Sequence, residues 1–328
     1  KELLKSLKKD LRSLKRSYKD ERRSKFVEKP DNKAFARQKN KNNQNSKSKN
    51  QSLPSQLPAE DVVLEFSQRG YVRRTSASSK NSGKTNGIPD YDFIIQTHET
   101  NTHKDLLVAT NGGKVYPLQV GDIPPTTGRG ARGTPLITLL TSTAQSQSES
   151  IIGRFIIPEN STNTDIVLVT KQGRIKRLSA EELTSITRRG VSILKLKDND
   201  ELLLTQFVSP GEHLVLASSG GRILHFEVSD TQLPRMGRTA VGLQALRVGK
   251  QHQIVGCTTV NKIHNLLLVT QEGYAKQLNS SKLKLANRGD LGAQAFKFAI
   301  PTDNLAGIAL VKPKTEIVLV TSNQRVVR

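Results

Sequence analysis

The chain repeats one short pattern of apolar and polar positions along most of its length. Each copy begins with an almost unbroken apolar run, turns at a glycine, and continues with apolar residues that alternate with polar or basic ones, as in IVLVTKQGRIKRL from residue 166. An unbroken apolar run is typical of a strand covered on both faces, whereas alternation is typical of a strand with one face towards solvent. Each copy is therefore predicted to be a β-hairpin whose second strand points basic side chains outward.

Six copies of this pattern follow one another within residues 57–328. Their turn positions are Gly70, Gly113, Gly173, Gly221, Gly273 and Gln324, so that neighbouring turns are 43 to 60 residues apart. After each of the first five hairpins, a loop with basic and small residues precedes a further strand, as in TRRGVSILKLK from residue 187. A period of about 50 residues with several strands per copy is typical of propeller blades. We predict an all-β, six-repeat, propeller-like disc over residues 57–328.

The first 56 residues depart from this pattern and are predicted to form two further segments. Residues 1–28 are rich in Lys and Arg and repeat an apolar position at helical spacing from Leu7 to Tyr18, which predicts a short basic amphipathic helix. Residues 29–56 consist largely of Lys, Asn, Gln and Ser. Such a composition buries too little apolar surface to offset its ordering entropy, so this stretch is predicted to be a disordered linker.

The charge of the chain narrows its possible partners. Its 51 Lys and Arg residues against 29 Asp and Glu residues give a formal net charge of +22. An excess of this size favours a polyanionic partner, either nucleic acid or an anionic membrane surface. Residues 1–50 contain 18 basic and 6 acidic residues, so they carry over half of the excess, and about +10 remains for the rest of the chain.

Cysteine and histidine usage exclude several other kinds of site. Cys257 is the only cysteine, so neither an internal disulfide nor a cysteine zinc cluster is expected. The lack of disulfides indicates that the protein resides in a reducing compartment. The six histidines are scattered without metal-ligand spacing, so no metal site is predicted. No apolar run approaches the roughly 20 residues that a membrane span needs, so no membrane-spanning segment is expected, and no membrane is among the predicted partners.

Several stretches resemble a known family. These are GKVYPLQVGDIPPTTGRGARGTPLITLL from residue 113, RMGRTAVGLQAL from residue 235 and, as the end of a coiled-coil arm, RSYKDERRS from residue 16. They are similar to the C-terminal β-pinwheel domain of the A subunit of bacterial type IIA topoisomerases, namely DNA gyrase and topoisomerase IV. The resemblance implies a β-pinwheel that binds and wraps or bends DNA and presents a segment to the cleavage core.

One loop departs from the gyrase form of this family. In gyrase the first blade carries a box of the form Q-R-R-G-G-x-G, which the family implies is needed for DNA wrapping. The corresponding loop here reads SKNSGKTNG and keeps Gly83, Lys84 and Gly87 but lacks the paired arginines. The choice between gyrase and topoisomerase IV is therefore open.

The basic residues after each turn, together with those of the loops that follow, recur from copy to copy. We predict that they form a basic band around the rim of the disc that contacts DNA phosphates without reading bases. The predicted DNA contacts are Arg73, Arg74, Lys84, Lys114, Arg129, Arg132, Arg174, Lys176, Arg177, Arg188, Arg189, Arg222, Arg238, Lys276 and Arg288.

The resemblance also implies what this chain does not do. None of its five tyrosines has the sequence context of a cleavage tyrosine, and no phosphate-binding P-loop pattern is present, so no catalytic residue and no cofactor are predicted. The complete enzyme would use ATP and Mg²⁺. The implied partners are double-stranded DNA, the ATPase B subunit, and the remainder of the A subunit, in the cytoplasm with the nucleoid.

Two alternatives remain at this point. The repeats would also suit a propeller that binds proteins and whose basic charge is incidental. The second alternative is that the chain is a regulatory fragment or a decayed gene product without an independent role.

Overall fold

A computed structural model gives the structure of the chain. It describes residues 10, 13, 59–77, 92–127, 131–141, 144–145, 149–158, 163–261, 263–312, 316–321 and 326–327. The chain divides into two compact units, Lys1–Ser55 and Gln56–Arg328. Only Asp10 and Ser13 of the first unit are described, and both are helical and exposed. The predicted helix over 1–28 and linker over 29–56 otherwise lie outside the described residues and stay predictions.

The second unit consists almost entirely of short β-strands. They are β1 (Asp61–Ser67), β2 (Tyr71–Ser76), β3 (Ile94–Asn101), β4 (Asp105–Thr110), β5 (Lys114–Gln119), β6 (Thr134–Pro135), β7 (Ile151–Phe155), β8 (Asp165–Thr170), β9 (Arg174–Ser179), β10 (Val191–Ser192), β11 (Leu202–Val208), β12 (His213–Ser218), β13 (Arg222–Glu227), β14 (Leu243–Gln244), β15 (Ile254–Val260), β16 (Asn265–Thr270), β17 (Ala275–Asn279), β18 (Ala293–Gln294), β19 (Leu305–Val311), β20 (Leu319–Val320) and β21 (Val326–Val327). The second unit also contains a short α-helix, α1 (Leu136–Leu139), and the 3₁₀ turns Val120–Asp122, Ala180–Leu183 and Ser280–Lys282.

The strands form four four-stranded antiparallel sheets, one three-stranded sheet and one two-stranded sheet. The sheet orders are β3-β1-β2-β6, β7-β4-β5-β10, β11-β8-β9-β14, β15-β12-β13-β18, β19-β16-β17 and β20-β21. Each of the first five sheets is built around one of the predicted hairpins, and the next strand of five or more residues after the hairpin pairs with the free edge of the first hairpin strand. The repeated hairpins and the all-β, propeller-type architecture are therefore confirmed.

In each four-stranded sheet, a two-residue strand from later in the chain pairs with the second hairpin strand. We call this strand the exchanged strand. The β9 strand, for example, pairs with β14, which lies beyond the whole β12–β13 hairpin of the next repeat. The backbone enters this strand through Gly242, whose φ is +80°. A Cβ atom at this glycine would lie 2.6 Å from the carbonyl oxygen of Ile175 on the host strand. Successive sheets are thus interlocked, and each exchange passes through a glycine in a backbone conformation that other residues rarely adopt.

The hydrophobic core lies between consecutive sheets. Alternate residues of a first hairpin strand contribute to different core clusters: Leu106 of β4 packs with residues of β1, and Leu107 packs with residues of β8. Both faces of such a strand are therefore covered, which explains its unbroken apolar run. The second hairpin strand β9 differs from prediction, because it also has four consecutive buried residues and does not present an alternating solvent face.

The last two repeats are less complete in the described part of the chain. No strand there pairs with the outer edge of β17, and the sixth copy is represented only by β20 and β21, with its turn position outside the described residues. The edge of β17 borders a cleft that exposes Leu285 and Leu291, each at 59%. Six equivalent blades therefore stay a prediction.

Candidate functional site

Burial decides which side chains of the predicted basic band can reach a phosphate. Lys84 and Arg129, together with the box glycines Gly83 and Gly87, lie outside the described residues. The remaining thirteen predicted contacts fall into buried, partly buried and exposed groups.

Lys176 is fully buried, with 0% of its surface exposed. Its Nζ donates hydrogen bonds to the carbonyl oxygens of Ile193 at 2.7 Å, Arg238 at 2.8 Å and Ala240 at 3.3 Å. Burial lowers the pKa of Lys176 to about 8, and the nearby carboxylate of Glu182 opposes that shift. The ammonium group thus binds backbone carbonyls of two segments and is not available to DNA.

Arg177 is also buried, at 2% exposure, and is held by carboxylates. Its Nε lies 2.5 Å from a carboxylate oxygen of Asp165, and its NH1 donates to Asp230 at 2.8 Å and to the carbonyl oxygen of Leu233 at 3.1 Å. The second carboxylate oxygen of Asp165 lies 2.9 Å from Nε of Arg235. The expectation that Lys176 and Arg177 project from a rim is wrong, because both faces of β9 are covered by neighbouring sheets.

Two arginines at the first position of a second hairpin strand bind the exchanged strand. Arg174 NH1 donates to the carbonyl oxygen of Gly242 at 2.9 Å, and Arg222 NH1 donates to that of Gly292 at 2.9 Å. Gly242 and Gly292 are the equivalent positive-φ glycines at the entrances to β14 and β18. The recurrence of these arginines is therefore explained by a structural contact, although Arg222 remains exposed.

Lys276 and Arg288 make similar contacts. Lys276 occupies the same strand position as Lys176, and its Nζ donates to the carbonyl oxygen of Ala295 at 2.8 Å. Arg288 donates through Nε to the carbonyl oxygen of Gln232 and through NH1 to that of Gln244 at 2.8 Å. Lys276 is exposed, whereas Arg288 is partly buried. Arg288 therefore connects loops of successive repeats.

Arg73 and Arg74 of β2 are both partly buried. Arg73 NH1 lies 3.6 Å from a carboxylate oxygen of Glu65, and Arg74 NH1 donates to the carbonyl oxygens of Val120 and Gly121 at 3.3 and 3.1 Å. Both guanidinium groups are therefore engaged within the first two repeats.

Lys114 and Arg132 lie near two tyrosines. Lys114 Nζ is 3.2 Å from Glu149, and Tyr116 donates to the same carboxylate at 3.3 Å. Burial, together with the charge and hydrogen bond of Glu149, raises the pKa of Tyr116 to about 12, so its hydroxyl stays protonated at neutral pH. The guanidinium carbon of Arg132, an exposed residue, lies 5.5 Å from the centre of the Tyr71 ring.

Three further predicted arginines in the loops before the exchanged strands are, like Arg132, exposed. Arg188 has 77% of its side chain exposed and lies 3.0 Å from Asp122, and Arg238 lies 3.6 Å from Glu182. Surface ion pairs of this kind contribute only about 0 to 1 kcal/mol, so these arginines can exchange a carboxylate for a phosphate at little cost. Arg189 beside them is also exposed. These loop arginines are therefore accessible to a phosphate group from solvent.

Sequence reasoning missed a second recurrent set, which consists of Lys195, Arg247 and Lys297. Each follows the positive-φ glycine of an exchanged strand by five residues, and all three are exposed. Alignment of the repeats on their hairpin glycines obscures this recurrence, because the intervening loops differ in length. Alignment on Gly190, Gly242 and Gly292 would have found it.

Other chemistry is sparse in the region that the structure covers. No group of three or more His, Cys, Asp or Glu side chains among the described residues is arranged to hold a metal ion. Burial raises the pKa of Cys257 to about 12, so the thiol is protonated at neutral pH. None of the described helices is both long and apolar enough to cross a membrane.

Comparison with known proteins decides the family. A family model described as the DNA gyrase C-terminal domain, beta-propeller, matches residues 104–141, 164–206, 212–261 and 264–299, which make up just over half of the chain. The chain belongs to this family. The resemblance noted from the sequence is thereby confirmed.

Individual relatives agree with the gyrase C-terminal family. The chain is 33% identical over 225 residues to the A subunit of DNA topoisomerase 4 from Synechocystis sp., covering 66% of this chain and 24% of that protein. It is 28% identical over 276 residues to the A subunit of DNA gyrase from Buchnera aphidicola, covering 82% and 32%. The chain thus spans about a quarter to a third of the length of these relatives.

A solved structure supports the same fold. The crystal structure of the C-terminal domain of DNA topoisomerase IV superposes with a TM-score of 0.73 at 21% identity and covers 83% of this chain and 84% of that one. The chain therefore shares the fold of that domain.

Proposed function

We propose that this chain binds double-stranded DNA on its propeller-type unit and wraps or bends it, presenting a segment to the cleavage core of a complete type IIA topoisomerase. The observation that carries the proposal is the exposure of Arg188, Arg189 and Arg238 in a domain of the gyrase C-terminal family. Cleavage, supercoiling and decatenation would belong to the complete enzyme.

Binding would act through phosphates. Cationic side chains that neutralise phosphates release condensed counterions, so affinity depends steeply on salt and weakly on base sequence. Bending a site of 20 to 30 base pairs costs on the order of 1 to 6 kcal/mol, which several contacts spread along the duplex can offset. A repeated fold that carries similar cations on successive repeats supplies such a series.

The further partners follow from the same proposal. The remainder of the A subunit would hold this unit, and an ATPase B subunit would complete the enzyme in the cytoplasm, with the nucleoid. ATP and Mg²⁺ would be bound by the complete enzyme, and we assign no cofactor to this chain.

Topology measurements test the proposal directly. Nicked plasmid is sealed by ligase in the presence of increasing amounts of the chain or of residues 56–328, and the topoisomers are separated on two-dimensional gels. We expect a shift in linking number with both proteins, because chiral wrapping changes the path of the duplex before it is sealed. The sign of the shift gives the handedness.

The other outcomes are equally informative. Binding without a shift would show that the unit bends or holds DNA but does not wrap it. Binding that requires residues 1–55 would contradict the proposal and favour a protein-binding propeller, for which the exposed Leu285 and Leu291 beside the edge of β17 are the most suitable surface.

A further inference from the structure

Three of the four exchanged strands are followed by one exposed cation each, and these cations occupy the same structural position. In three successive repeats the residue third after the positive-φ glycine donates its backbone N–H to the carbonyl oxygen of a hairpin glycine. These bonds run from Ile193 to Gly113 at 2.9 Å, from Ala245 to Gly173 at 2.8 Å and from Ala295 to Gly221 at 2.9 Å. Two residues further along stand Lys195, Arg247 and Lys297. The three cations therefore lie just beyond the turns of three consecutive hairpins.

A second backbone contact fixes this position against the following repeat. The N–H of Lys195 donates to the carbonyl oxygen of Ala240 at 3.3 Å, and that of Arg247 donates to the carbonyl oxygen of Asp290 at 3.1 Å. Ala240 and Asp290 are equivalent, since each precedes its positive-φ glycine by two residues. The spacing of Lys195 and Arg247 is thus set by the interlocked backbone of successive repeats.

The three side chains are also free of protein partners. Within the part of the chain that the structure describes, their side chains form no ion pair and no hydrogen bond, in contrast to Lys176 and Arg177. The residue before each cation is buried, and the residue after it packs against the same core cluster. An exposed cation on a rigidly held segment loses less entropy on binding than one on a flexible loop.

We propose that Lys195, Arg247 and Lys297 form a row of phosphate contacts for duplex DNA. This inference rests on the proposed function and deepens it, because it adds contacts in the segments that follow the exchanged strands to the loop arginines that precede those strands. The exposed Arg238 lies two residues before Ala240 and therefore close in sequence to the backbone that holds Lys195. A cation at this position occurs in three successive repeats, as a duplex that passes several repeats requires.

Salt-dependent binding of the complete chain tests the row. One variant replaces the three cations (Lys195→Gln, Arg247→Gln and Lys297→Gln). A matched control removes the same charge at Lys104, Lys282 and Lys312, which lie at the strand ends opposite to the hairpin turns. Affinity for a labelled duplex is measured by fluorescence anisotropy between about 50 and 200 mM salt. We expect the slope of log K against log salt to become shallower by roughly 0.9 for each phosphate interaction that the first variant removes, and by much less in the control.

The outcomes separate this inference from the function on which it rests. Equal changes in both variants would overturn the row but leave DNA binding intact, whereas no binding by the unaltered chain would overturn both. Circular dichroism melts check that each variant is folded. The variant Lys195→Arg with Lys297→Arg keeps the charges and is expected to keep the unaltered slope; a shallower slope in that variant would contradict simple phosphate contact.

Discussion

At the scale of single residues, the basic side chains of this domain perform two different tasks. The ammonium group of Lys176 donates hydrogen bonds to three backbone carbonyl oxygens in the interior. Arg188, by contrast, is largely exposed and faces one surface carboxylate. A buried polar group without a partner is costly, so recurrence of a cation can reflect backbone satisfaction as well as ligand binding.

Buried Lys176 is expected to make stability depend on pH in the alkaline range. Its pKa is about 8 in the folded chain against an ordinary value of 10.5, so between these values the unfolded chain binds more protons and stability rises with pH. Below pH 8 both states are protonated and this contribution is constant. In urea denaturation from pH 7 to 10.5, the unaltered chain should gain stability relative to Lys176→Met, by at most about 1.4 kcal/mol per pH unit. Parallel pH profiles would contradict the buried ammonium.

The ion pair of Arg177 with Asp165 is expected to matter for folding and not directly for DNA. Arg177→Ala leaves the fully buried Asp165 without its closest cation, so we expect a loss of about 3 to 5 kcal/mol in the free energy of unfolding. Arg188→Ala is the control, because removal of an exposed ion pair should cost only about 0 to 1 kcal/mol. Similar losses of stability in urea denaturation of the two variants would show that Arg177 is not buried as described.

At the scale of elements, the two-residue exchanged strand is the distinctive unit of the fold. It is too short to be stable alone, and it is held by the ladder to its host strand, by an arginine such as Arg174 and by core residues such as Ala245 and Leu246 that follow it. The glycine before it lets the backbone approach the host strand closely. Because of its close contact and its positive φ, substitution of that glycine is expected to destabilise the fold.

Gly242→Ala is expected to weaken the exchange of β14. The new methyl group would meet the carbonyl oxygen of Ile175 at 2.6 Å, and the residue would have to keep a φ near +80°. Strain of this kind costs about 1 to 3 kcal/mol before the clash is counted. Gly237→Ala in the same loop is the control, since nothing lies within 4 Å of its added methyl group and its φ is not positive. Thermal melts should show a clearly lower Tm only for Gly242→Ala.

At the scale of the whole propeller-type unit, the sequence predicts the repeat but not its interlocking. Apolar runs such as that of β8 and turn glycines such as Gly173 are local signals, so the hairpins can be predicted from them. The pairing of β9 with β14 joins residues about 70 positions apart through a strand of two residues, which leaves no local signal. The packing of sheets against both faces of β9 also leaves no local signal in the sequence. The sequence therefore predicts the lysine and arginine of β9 on a solvent-exposed rim, although both are buried.

The interlocked strands also determine the order in which a nascent chain can complete its blades. The strand that closes the β8–β9 sheet begins at Leu243, so the ribosome must synthesise the next hairpin before that sheet is finished. At about 5 to 20 residues per second, a repeat of this size takes on the order of several seconds. During that interval the edge of β9 is unpaired, and unpaired edges favour association with other chains. Each sheet with an exchanged strand is therefore completed only after the ribosome has synthesised the hairpin of the next repeat.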